Sequence, residues 1–478
     1  MLLALLTAAA SCIDPSTYGA VANDGKPDTD AIQKAIDAAA AKGGKVCLGK
    51  GVFHVEKVRE FASLLISKGP VEIYGTGPET VLRMTGSGGH DDWRAIRILR
   101  TGGVYLHDFK IDGLDAYDTE EQTHLIEIAP ESSDITIANM ALGPMRKPGQ
   151  PIGKGIGGDC IRILGKLGGE VEDVTIVNTK FVDCDRSGIS LQRSLRRIVI
   201  ANDTFERTGD QGIDFEPTGK GSIEDVVISR VTVKHDPTAQ GSDAITIGGH
   251  GPYPARRITV VDSKIEGGGI RMIDAEDVVL LRNTIDYGAR NKAPTINIMR
   301  RVANVRIAKN TITRPAGAEA GPVLAATHLA KHVPHGIAFE DNVVRQETPA
   351  IVVNMTSVGG VSVRRNKITY TGADRGMPIV NVVAVFADVE DVAVTDNEVT
   401  GDAGAIVSVK NAQHVIRRVE VGGNQAPKTP TSVECKGKPD GFDDIQSDGP
   451  ATQRAACRGV KLVPMRARPV GPKSTATP

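Results

Sequence analysis

A repeated strand pattern is the feature of this sequence that most restricts its fold. The pattern is apolar-x-apolar-x-x-x-x-apolar, usually with Asn or Asp at the fifth or sixth place, as in residues 135–142 and 361–368. Successive copies begin 20 to 39 residues apart, and the variable part always follows the repeat core. Repeats of this period, with insertions confined to one side, are typical of a solenoid with stacked coils. The copies begin at Val104, Ile135, Val174, Ile198, Val226, Ile258, Val278, Val305, Ile337, Val361 and Val392.

A second short strand recurs in most of the copies. Two or three short strands per coil, each alternating between inward and outward side chains, indicate parallel sheets. The Leu-dominated spacing and the repeated helix of a leucine-rich horseshoe are missing, and so is the hairpin pattern of a β-sandwich. The sequence therefore predicts an all-β chain folded as a parallel β-helix. The second strands occupy residues 160–163, 188–191, 212–215, 244–247, 269–272 and 295–298.

One amphipathic helix is predicted ahead of the repeats. Its apolar residues fall at helical spacing, Asp28 or Thr29 supplies the N-cap, and Gly43-Gly44 ends it. A solenoid needs such a cap, because its first coil otherwise exposes an apolar end and unpaired strand edges. The apolar stripe consists of Ala31, Ile32, Ala35, Ile36 and Ala39.

The segment 18–55 resembles the N-terminal cap of the pectate lyase superfamily. The matching residues are Gly19-Ala20, Asp24-Gly25 and the run 28–36, Asp-Thr-Asp-Ala-Ile-Gln-Lys-Ala-Ile. The resemblance implies a right-handed parallel β-helix and, with the repeats, covers about nine tenths of the chain. Pectate-lyase-like proteins, polygalacturonases, epimerase-like enzymes and phage tailspikes share this cap, so it leaves the reaction open.

More specific family patterns match only in part. Gly249-His250-Gly251 and Arg271-Met272 are similar to two polygalacturonase motifs, but the Asp-Asp coil expected before the histidine is absent. The Asp-Pro-His signature of uronate epimerases is also absent. The resemblance therefore implies a fold and a carbohydrate setting, and it does not imply either of these activities.

The expected organisation has three parts. Residues 1–12 are interpreted as a signal or lipoprotein-like segment, with Cys12 as a possible acylated residue. Residues 13–424 are expected to form one β-helix domain, with a cap at 13–55 and coils at 56–424. Residues 425–478 are expected to form a C-terminal loop region and a disordered tail. We therefore expect a secreted, periplasmic or cell-surface protein without a transmembrane span.

Composition narrows the partners and the role of the cysteines. Lys plus Arg number 57 and Asp plus Glu 58, a net charge of −1 that gives no support to nucleic-acid binding. A polysaccharide or oligosaccharide is the expected partner, and the oligomeric state is not indicated. The six cysteines are too few to define the fold. Cys160 and Cys184 are interpreted as small buried hydrophobes in preference to a disulfide, whereas Cys435 and Cys457 are candidates for one.

The candidate site follows from strand alternation. If the isoleucines at 161, 189, 213, 245, 270 and 296 point inward, the next residue of each strand points outward. Asp214 and Glu216 then lie on one strand, roughly 6.5–7 Å apart between Cα atoms, both facing out. A pair of carboxylates can act as general acid and base in glycoside hydrolysis, so these two are the predicted catalytic residues. The expected outward row consists of Arg162, Ser190, Asp214, Thr246, Arg271 and Asn297, and the second row of Leu164, Gln192, Glu216, Gly248, Ile273 and Met299.

Other roles for the same face remain open. A polysaccharide lyase or uronate epimerase would use a base and a cation here, and no cofactor is expected except that Ca²⁺ is an alternative for the lyase. A glycan-binding adhesin or structural protein would use the face without chemistry, and solvated surface charge is the simplest alternative. The predicted substrate-binding residues are Arg162, Arg186, Ser190, Gln192, Arg193, Asp243, His250 and Arg271. The acidic residues considered for Ca²⁺ are Asp159, Asp183, Asp185, Asp210 and Asp214.

Two further residue types are assigned structural roles. The recurring Asn residues are expected to form corners or to bond to the next coil, as Asn side chains tolerate left-handed backbone and bind neighbouring amides. Trp93 is expected either to stack on a sugar from the segment 90–93 or to be a buried anchor. The Asn column comprises Asn139, Asn178, Asn202, Asn310, Asn342, Asn366 and Asn397.

Overall fold

The computed structural model describes most of the chain and shows a β-solenoid, as predicted. Within the described residues the helical elements are the 3-10 turns Pro15–Tyr18 and Pro439–Gly441 and one α-helix, Thr29–Ala40. All pairings between named strands are parallel, and a 13-stranded sheet marks the number of stacked turns. The described residues are 12–58, 61–85, 93–113, 122–145, 158–216, 219–236, 239, 241–288, 292–328, 333–371, 376–447 and 462–463.

Three parallel sheets run the length of the solenoid, and each coil passes through them in the order A, B, C. Sheet A carries the candidate site. Two of its strands, Gly269–Leu281 and Ile296–Ala308, continue across the corner into sheet B. Sheet A comprises Ala62–Ile66, Arg94–Ile98, His124–Ile128, Ile161–Leu164, Ile189–Gln192, Ile213–Glu216, Asp243–Gly248, Gly269–Leu281, Ile296–Ala308, Leu324–Thr327, Val353–Thr356, Pro378–Ala384, Ala405–Asn411 and Val433–Lys436.

Sheets B and C complete each coil. The connection from B to C is two residues long in coil after coil, for example 178–179 and 202–203, whereas that from C to A ranges from 267–268 to 143–160. Besides the two shared strands, sheet B comprises Lys45–Cys47, Val71–Tyr74, Gly102–His107, Ser132–Ala138, Val171–Val177, Leu195–Ala201, Ile223–Ser229, Ala255–Val261, His335–Glu340, Gly359–Arg364, Val389–Thr395, Ile416–Gly422, Phe442–Ser447 and Leu462–Val463. Sheet C comprises Gly51–Val55, Thr80–Met84, Lys110–Asp112, Ala141–Leu142, Lys180–Val182, Thr204–Glu206, Thr232–Lys234, Lys264–Glu266, Thr284–Asp286, Thr311–Arg314, Val343–Gln346, Lys367–Tyr370 and Glu398–Thr400.

Aliphatic columns fill the interior between the three sheets. Side chains alternate along each strand, so the same inward position recurs from coil to coil and makes a continuous apolar stack. Removing one such isoleucine side chain down to Ala costs about 2–5 kcal/mol, because the stacked neighbours cannot collapse into the gap. The column that fixes the facing of sheet A consists of Ile161, Ile189, Ile213, Ile245, Ile270 and Ile296, all at 0% exposure.

The α-helix closes the first coil, as predicted, although its capping differs from expectation. Asp28 precedes the helix, but its carboxylate accepts from the backbone N–H groups of Val21 (2.8 Å) and His54 (3.0 Å) and makes no helix-capping bond. Its bonds join the cap loop to the first strand of sheet C. Gln33 covers the exposed edge of sheet A by donating to Leu65 O (2.8 Å) and accepting from Leu65 N (2.9 Å).

The asparagines fall into two neighbouring columns at the corner between sheets B and C. Asn139, Asn178 and Asn202 have left-handed backbone, with φ of 53°, 53° and 58°. The buried column lies one residue later in each coil, where each Asn side-chain oxygen from Asn310 onward accepts from the backbone N–H and the side-chain amide of the preceding member. This ladder contains two residues absent from the predicted column, Asn283 and Asn424. Its members are Asn283, Asn310, Asn342, Asn366, Asn397 and Asn424.

Disulfides correct two expectations about the cysteines. Cys160 and Cys184 are joined, with 5.5 Å between their Cα atoms, so they are not the free hydrophobes that were favoured. Cys12 is joined to Cys47, and its thiol is therefore not available for acylation as a lipoprotein anchor. Cys435 is also disulfide-bonded, and Cys457 lies outside the described residues.

The coils continue past residue 424, where they were expected to end. Val433–Lys436 pairs with sheet A and Phe442–Ser447 with sheet B, in register with the preceding coil. The segments 1–11 and 464–478, on which the export and disorder expectations rest, lie outside the described residues. No helix in the described part of the chain has the length and apolarity to span a bilayer.

Candidate functional site

Successive strands of sheet A bring the predicted outward residues into one row. Ser190 pairs in register with Arg162 on one side and with Asp214 on the other. Thr246 is in register with both Asp214 and Arg271. Asn297 follows Arg271, so the row is continuous over six strands. Since parallel strands lie about 4.8 Å apart, adjacent members of this row can contact the same ligand.

The second row is continuous over its first three members. Leu164, Gln192 and Glu216 are in register on neighbouring strands. The pairing of the Asp214 strand with the next one stops at Thr246, so Glu216 has no ladder partner on that side. The end of the strand carrying Asp214 and Glu216 is therefore paired on one side only.

Glu216 is held by three donors on its neighbouring coil. Arg186 Nη2 donates to Glu216 Oε2 at 2.6 Å, and Gln192 Nε2 donates to the same oxygen. Ser190 Oγ is 3.4 Å from it. All three contacts fall on Oε2, which leaves Oε1 to accept from a water or a sugar hydroxyl.

Arg186 links Glu216 to a third carboxylate, Asp159. Its Nε lies 3.2 Å from Asp159 Oδ1, and Asp159 is fully buried. Burial raises the pKa of Asp159 to about 6, although the charge of Arg186 acts to lower it. Burial by itself would lower the pKa of Arg186, but the charges of Asp159 and Glu216 outweigh it and raise this pKa. The guanidinium is consequently locked in its charged form.

Asp214 is the acid of the outward row, and it lies among other carboxyl groups. Burial raises the pKa of Asp214 to about 8, and the charges of Asp159, Asp210 and Glu216 add to the effect. Arg186 opposes the shift without cancelling it. At neutral pH the Asp214 carboxyl therefore carries a proton, whereas a carboxylic acid in water is ionised. A proton donor thus lies two residues from the anchored Glu216.

The cysteine bridge stabilises the two coils that carry this cluster. Cys160 directly follows Asp159, and Cys184 lies two residues before Arg186. The Cys160–Cys184 bond therefore joins the backbone segments that present the buried carboxylate and its guanidinium partner. Groups that act together in a site need such support to keep their relative positions.

Gln192 extends the network toward the preceding coils. Its side-chain oxygen accepts from Arg162 Nε at 3.2 Å, while its amide donates to Ser190 and Glu216. Arg162 also donates from Nη1 to Gln122 Oε1 at 2.8 Å. The structure thus brings together Arg162, Ser190 and Gln192, three of the residues predicted to bind substrate. Ser190 and Gln192 are more buried than an exposed row implies.

Asp243 and Arg271 form the other end of the cluster. Arg271 Nε is 3.1 Å from Asp243 Oδ2. Burial raises the pKa of Asp243, against the charge of Arg271, and it also raises the pKa of Asp210, which lies within the electrostatic reach of both Arg271 and Arg186. Asp210 therefore connects the two halves of the site.

Arg193 and His250 are placed elsewhere. Arg193 follows the strand end at the corner with sheet B, where it is exposed, has a φ of 66° and lies against Gly219. His250 is an exposed residue of the turn 249–254 and pairs through its backbone with Tyr253. Both were expected among the substrate contacts, but they follow their strands, and the cluster gathers where strands begin and at the outward positions within them.

The strand starts carry functional groups that outward alternation alone does not reveal. Asp159 lies two residues before an inward isoleucine, and Arg186 and Asp210 lie three residues before theirs. Counting back from Ile161, Ile189 and Ile213 would have placed these three at one corner. Asp159 and Asp210 had been considered only as calcium ligands.

The calcium alternative is not supported by the geometry. Within the described ranges, no group of three or more His, Cys, Asp or Glu side chains is arranged to hold a metal ion. Asp183 is instead bound at both oxygens by Arg207, at 2.9 and 2.7 Å. Of the five acidic residues considered for Ca²⁺, Asp183 is therefore engaged by a guanidinium.

Trp93 is a buried anchor. Its exposure is 1%, and its indole N–H donates to Ser63 Oγ at 3.0 Å. It therefore cannot present a face to a sugar. Residues 90–92, considered with it, lie outside the described residues.

Comparisons with known proteins identify the fold. No protein-family model matches the sequence, and no curated protein matches it. Among solved structures, the pre-mature bacteriophage phi29 gene product 12 gives a TM-score of 0.53 at 15% identity, covering 89% of this chain and 57% of that one. The surface adhesin PfbA of Streptococcus pneumoniae gives 0.47 at 16% identity, covering 89% and 92%. The A-module of the Azotobacter vinelandii mannuronan C-5 epimerase AlgE4 gives 0.40 at 14% identity, covering 90% and 99%.

Identities this low bear on the fold alone, and the likeness to gene product 12 agrees with the stacked parallel sheets of this chain. Together with the parallel pairings, it confirms the predicted parallel β-helix. The chain has the right-handed parallel β-helix fold, with a short N-terminal capping helix.

Proposed function

We propose that the protein is an exported glycoside hydrolase that cleaves a polysaccharide over Asp214 and Glu216. One observation carries the proposal. Asp214, whose pKa is raised, lies on the same strand as Glu216, whose carboxylate accepts a hydrogen bond from Arg186. A carboxyl that its surroundings keep protonated can donate a proton, and a nearby carboxylate can accept one. The disulfides support an oxidising, extracytoplasmic location.

In the proposed reaction, Asp214 is the general acid. Its proton passes to the glycosidic oxygen as the bond from that oxygen to the anomeric carbon breaks. A water molecule supplies the new bond to the anomeric carbon, and its proton passes to Glu216. Exchange with solvent then returns the proton to Asp214 and removes the one on Glu216, so that the net reaction consumes one water.

The lyase and epimerase alternatives need a base that removes the sugar C5 proton. Arg186 is poorly suited to that role, because neighbouring carboxylates raise its pKa. His124 is neutral, since burial lowers its pKa well below the usual value, but it is only 1% exposed. The hydrolase therefore uses the groups of the site in the protonation states that their surroundings favour.

The test is a polysaccharide panel with two detection channels. Reducing ends report hydrolysis, and ultraviolet absorbance reports the unsaturated product of a lyase. Asp214→Asn and Glu216→Gln are expected to reduce turnover by at least about 100-fold while glycan binding remains. Glu276→Gln and Asp277→Asn, in sheet B, are the matched controls and should retain full activity.

Three outcomes would reject the proposal. Absorbing product without hydrolysis would identify a lyase. Glycan binding without any product would identify an adhesin or structural protein. Full turnover in both site variants would place the chemistry elsewhere.

A further inference from the structure

Arg162 is a shielded cation whose closest bonds are to neutral groups. Its side chain is 13% exposed. Its Nε donates to Gln192 and its Nη1 to Gln122, and Nη1 lies 3.4 Å from His124 Nε2. The nearest carboxylate is Glu127, whose Oε2 is 3.6 Å away, too far for a hydrogen bond.

Glu127 is shared among several guanidinium groups. Arg94 donates to Glu127 Oε2 from both Nε and Nη2, at 2.9 and 2.8 Å. Arg97 Nε is 2.9 Å from the other oxygen. His124 is neutral, because burial and the charge of Arg162 lower its pKa. Glu127 is thus hydrogen-bonded by Arg94 and ion-paired with Arg97, so Arg162 is left without a hydrogen-bonded carboxylate among the described residues.

The opposite side of Asp214 has the reverse balance. There two carboxyl groups, Asp210 and Asp243, lie within reach of one guanidinium, Arg271. Between Asp214 and Arg271 in the row, the hydroxyl of Thr246 is 3% exposed and has no hydrogen-bond partner among the described residues. A buried hydroxyl without a partner favours a ligand that brings a donor or acceptor of its own. This side therefore suits hydroxyl or amide groups and repels an anion.

These two ends lie on the same row, on either side of the proposed acid. Arg162 is two strands before Asp214, roughly 10 Å away, and Thr246 is one strand after it, about 4.8 Å away. A sugar chain laid along the row would place different units on the two ends.

We propose that the outward row of sheet A selects a polysaccharide in which the cleaved linkage joins an anionic sugar, bound by Arg162, to a neutral sugar, bound at Thr246 and Asp243. The inference rests on the proposed hydrolysis and adds the substrate class to it. The anionic group is a carboxylate or a sulfate ester, since a guanidinium binds either through paired hydrogen bonds.

The experiment compares four polymer probes on the full chain. Unsulfated chondroitin alternates a uronate with a neutral N-acetylated amino sugar, and kappa-carrageenan alternates a sulfated galactose with an unsulfated anhydrogalactose. Polygalacturonate is anionic at every unit, and dextran is neutral. Cleavage of an alternating probe is expected to exceed that of polygalacturonate and dextran by at least about 10-fold, the effect of one charged hydrogen bond. Preference for chondroitin assigns a carboxylate, and preference for carrageenan assigns a sulfate.

Variants then separate the two ends of the site. Arg162→Gln should lower kcat/KM on the preferred alternating probe by about 10- to 100-fold, chiefly through KM, and Arg162→Lys should recover part of the loss. Thr246→Val should lower kcat/KM on the same probe, and the preference for this probe over dextran should remain. Arg256→Gln, an exposed arginine of sheet B, is the matched control and should change nothing. Thermal unfolding confirms that each variant is folded.

Binding measurements keep this inference distinct from the proposed hydrolysis. Calorimetry with the alternating probes on Asp214→Asn reports recognition without turnover. Arg162-dependent binding with no cleavage by the natural chain would reject the hydrolase and keep the subsite. Equal cleavage of dextran, or unchanged kinetics in folded Arg162→Gln, would overturn the subsite and keep the hydrolase. Equal cleavage of polygalacturonate would overturn the neutral end.

Discussion

Replacement of Asp203 by Asn is expected to stabilise the protein in a pH-dependent way. Asp203 occupies the column that Asn residues fill in later coils, and its Oδ1 accepts from Thr179 N at 2.7 Å. The side chain is 1% exposed, and Oδ2 has no hydrogen-bond partner among the described residues. Burial raises the pKa of Asp203 to about 8, while the Thr179 bond acts to lower it. The folded chain therefore holds a protonated acid where an amide would fit.

The magnitude follows from proton linkage. An aspartate in the unfolded chain has a pKa of about 3.9, so keeping Asp203 protonated at pH 7 costs about 4 kcal/mol at 1.36 kcal/mol per unit. The natural chain carries no such cost below pH ~4, and the cost grows as the pH rises to about 8, where the folded group ionises. The Asn variant avoids this cost. One of its amide hydrogens would face Val231 without an acceptor, however, which lowers the gain in stability by about 1 kcal/mol. We expect a net gain of about 3 kcal/mol at pH 7 and less than about 1 kcal/mol at pH 4.

Urea denaturation followed by circular dichroism at pH 4, 5.5, 7 and 8 measures this difference. The free energy of unfolding of the natural chain and that of Asp203→Asn should diverge as the pH rises. Asn283→Asp is the matched control, because Asn283 donates to Val260 O and Asn310 Oδ1 and its replacement should destabilise most at high pH. A constant difference between Asp203→Asn and the natural chain across this range would refute the reasoning.

Three further outcomes are expected. If Asp214 donates a proton during turnover, the pH–rate profile of kcat/KM should fall as pH rises through about 8, and a profile flat to pH 10 would contradict that role. Gln33→Ala should lower the free energy of unfolding by about 1–3 kcal/mol and increase light scattering, because the backbone groups of Leu65 lose their partner at a sheet edge, whereas unchanged denaturation would show the edge to be covered without it. Cys160→Ala with Cys184→Ala should cost about 3 kcal/mol, measured in urea, since the bond closes a loop across 24 residues, and an equal loss on adding reductant to the double variant would show that other bonds dominate.

The fold was predictable because its determinants are periodic. Alternation along each strand and recurrence between coils fix which residues point out, and both are written directly in the sequence. The register of Ser190 with Asp214, and of Asp214 with Thr246, follows from aligning their inward isoleucines. The cap helix was predictable for the same reason, from its apolar stripe.

The side-chain contacts within the site were harder to predict from the sequence. Whether Arg186 reaches Asp159 and Glu216 depends on the conformation of the corner before its strand, where no periodic pattern applies. The disulfide between Cys160 and Cys184 depends on the same corner. The predicted substrate contacts Arg193 and His250 follow their strands, and alternation along a strand does not fix the direction of a side chain beyond the strand end.

The unequal corners of the coil determine where this architecture accepts change. The two-residue connection from sheet B to sheet C recurs almost unaltered, so insertions there would break the buried amide ladder. Both corners that flank sheet A differ in length from coil to coil. Loop exchange at these corners offers a route to new ligand preferences, because the residues that flank the row on sheet A can be changed while the stacked interior that aligns this row is left intact.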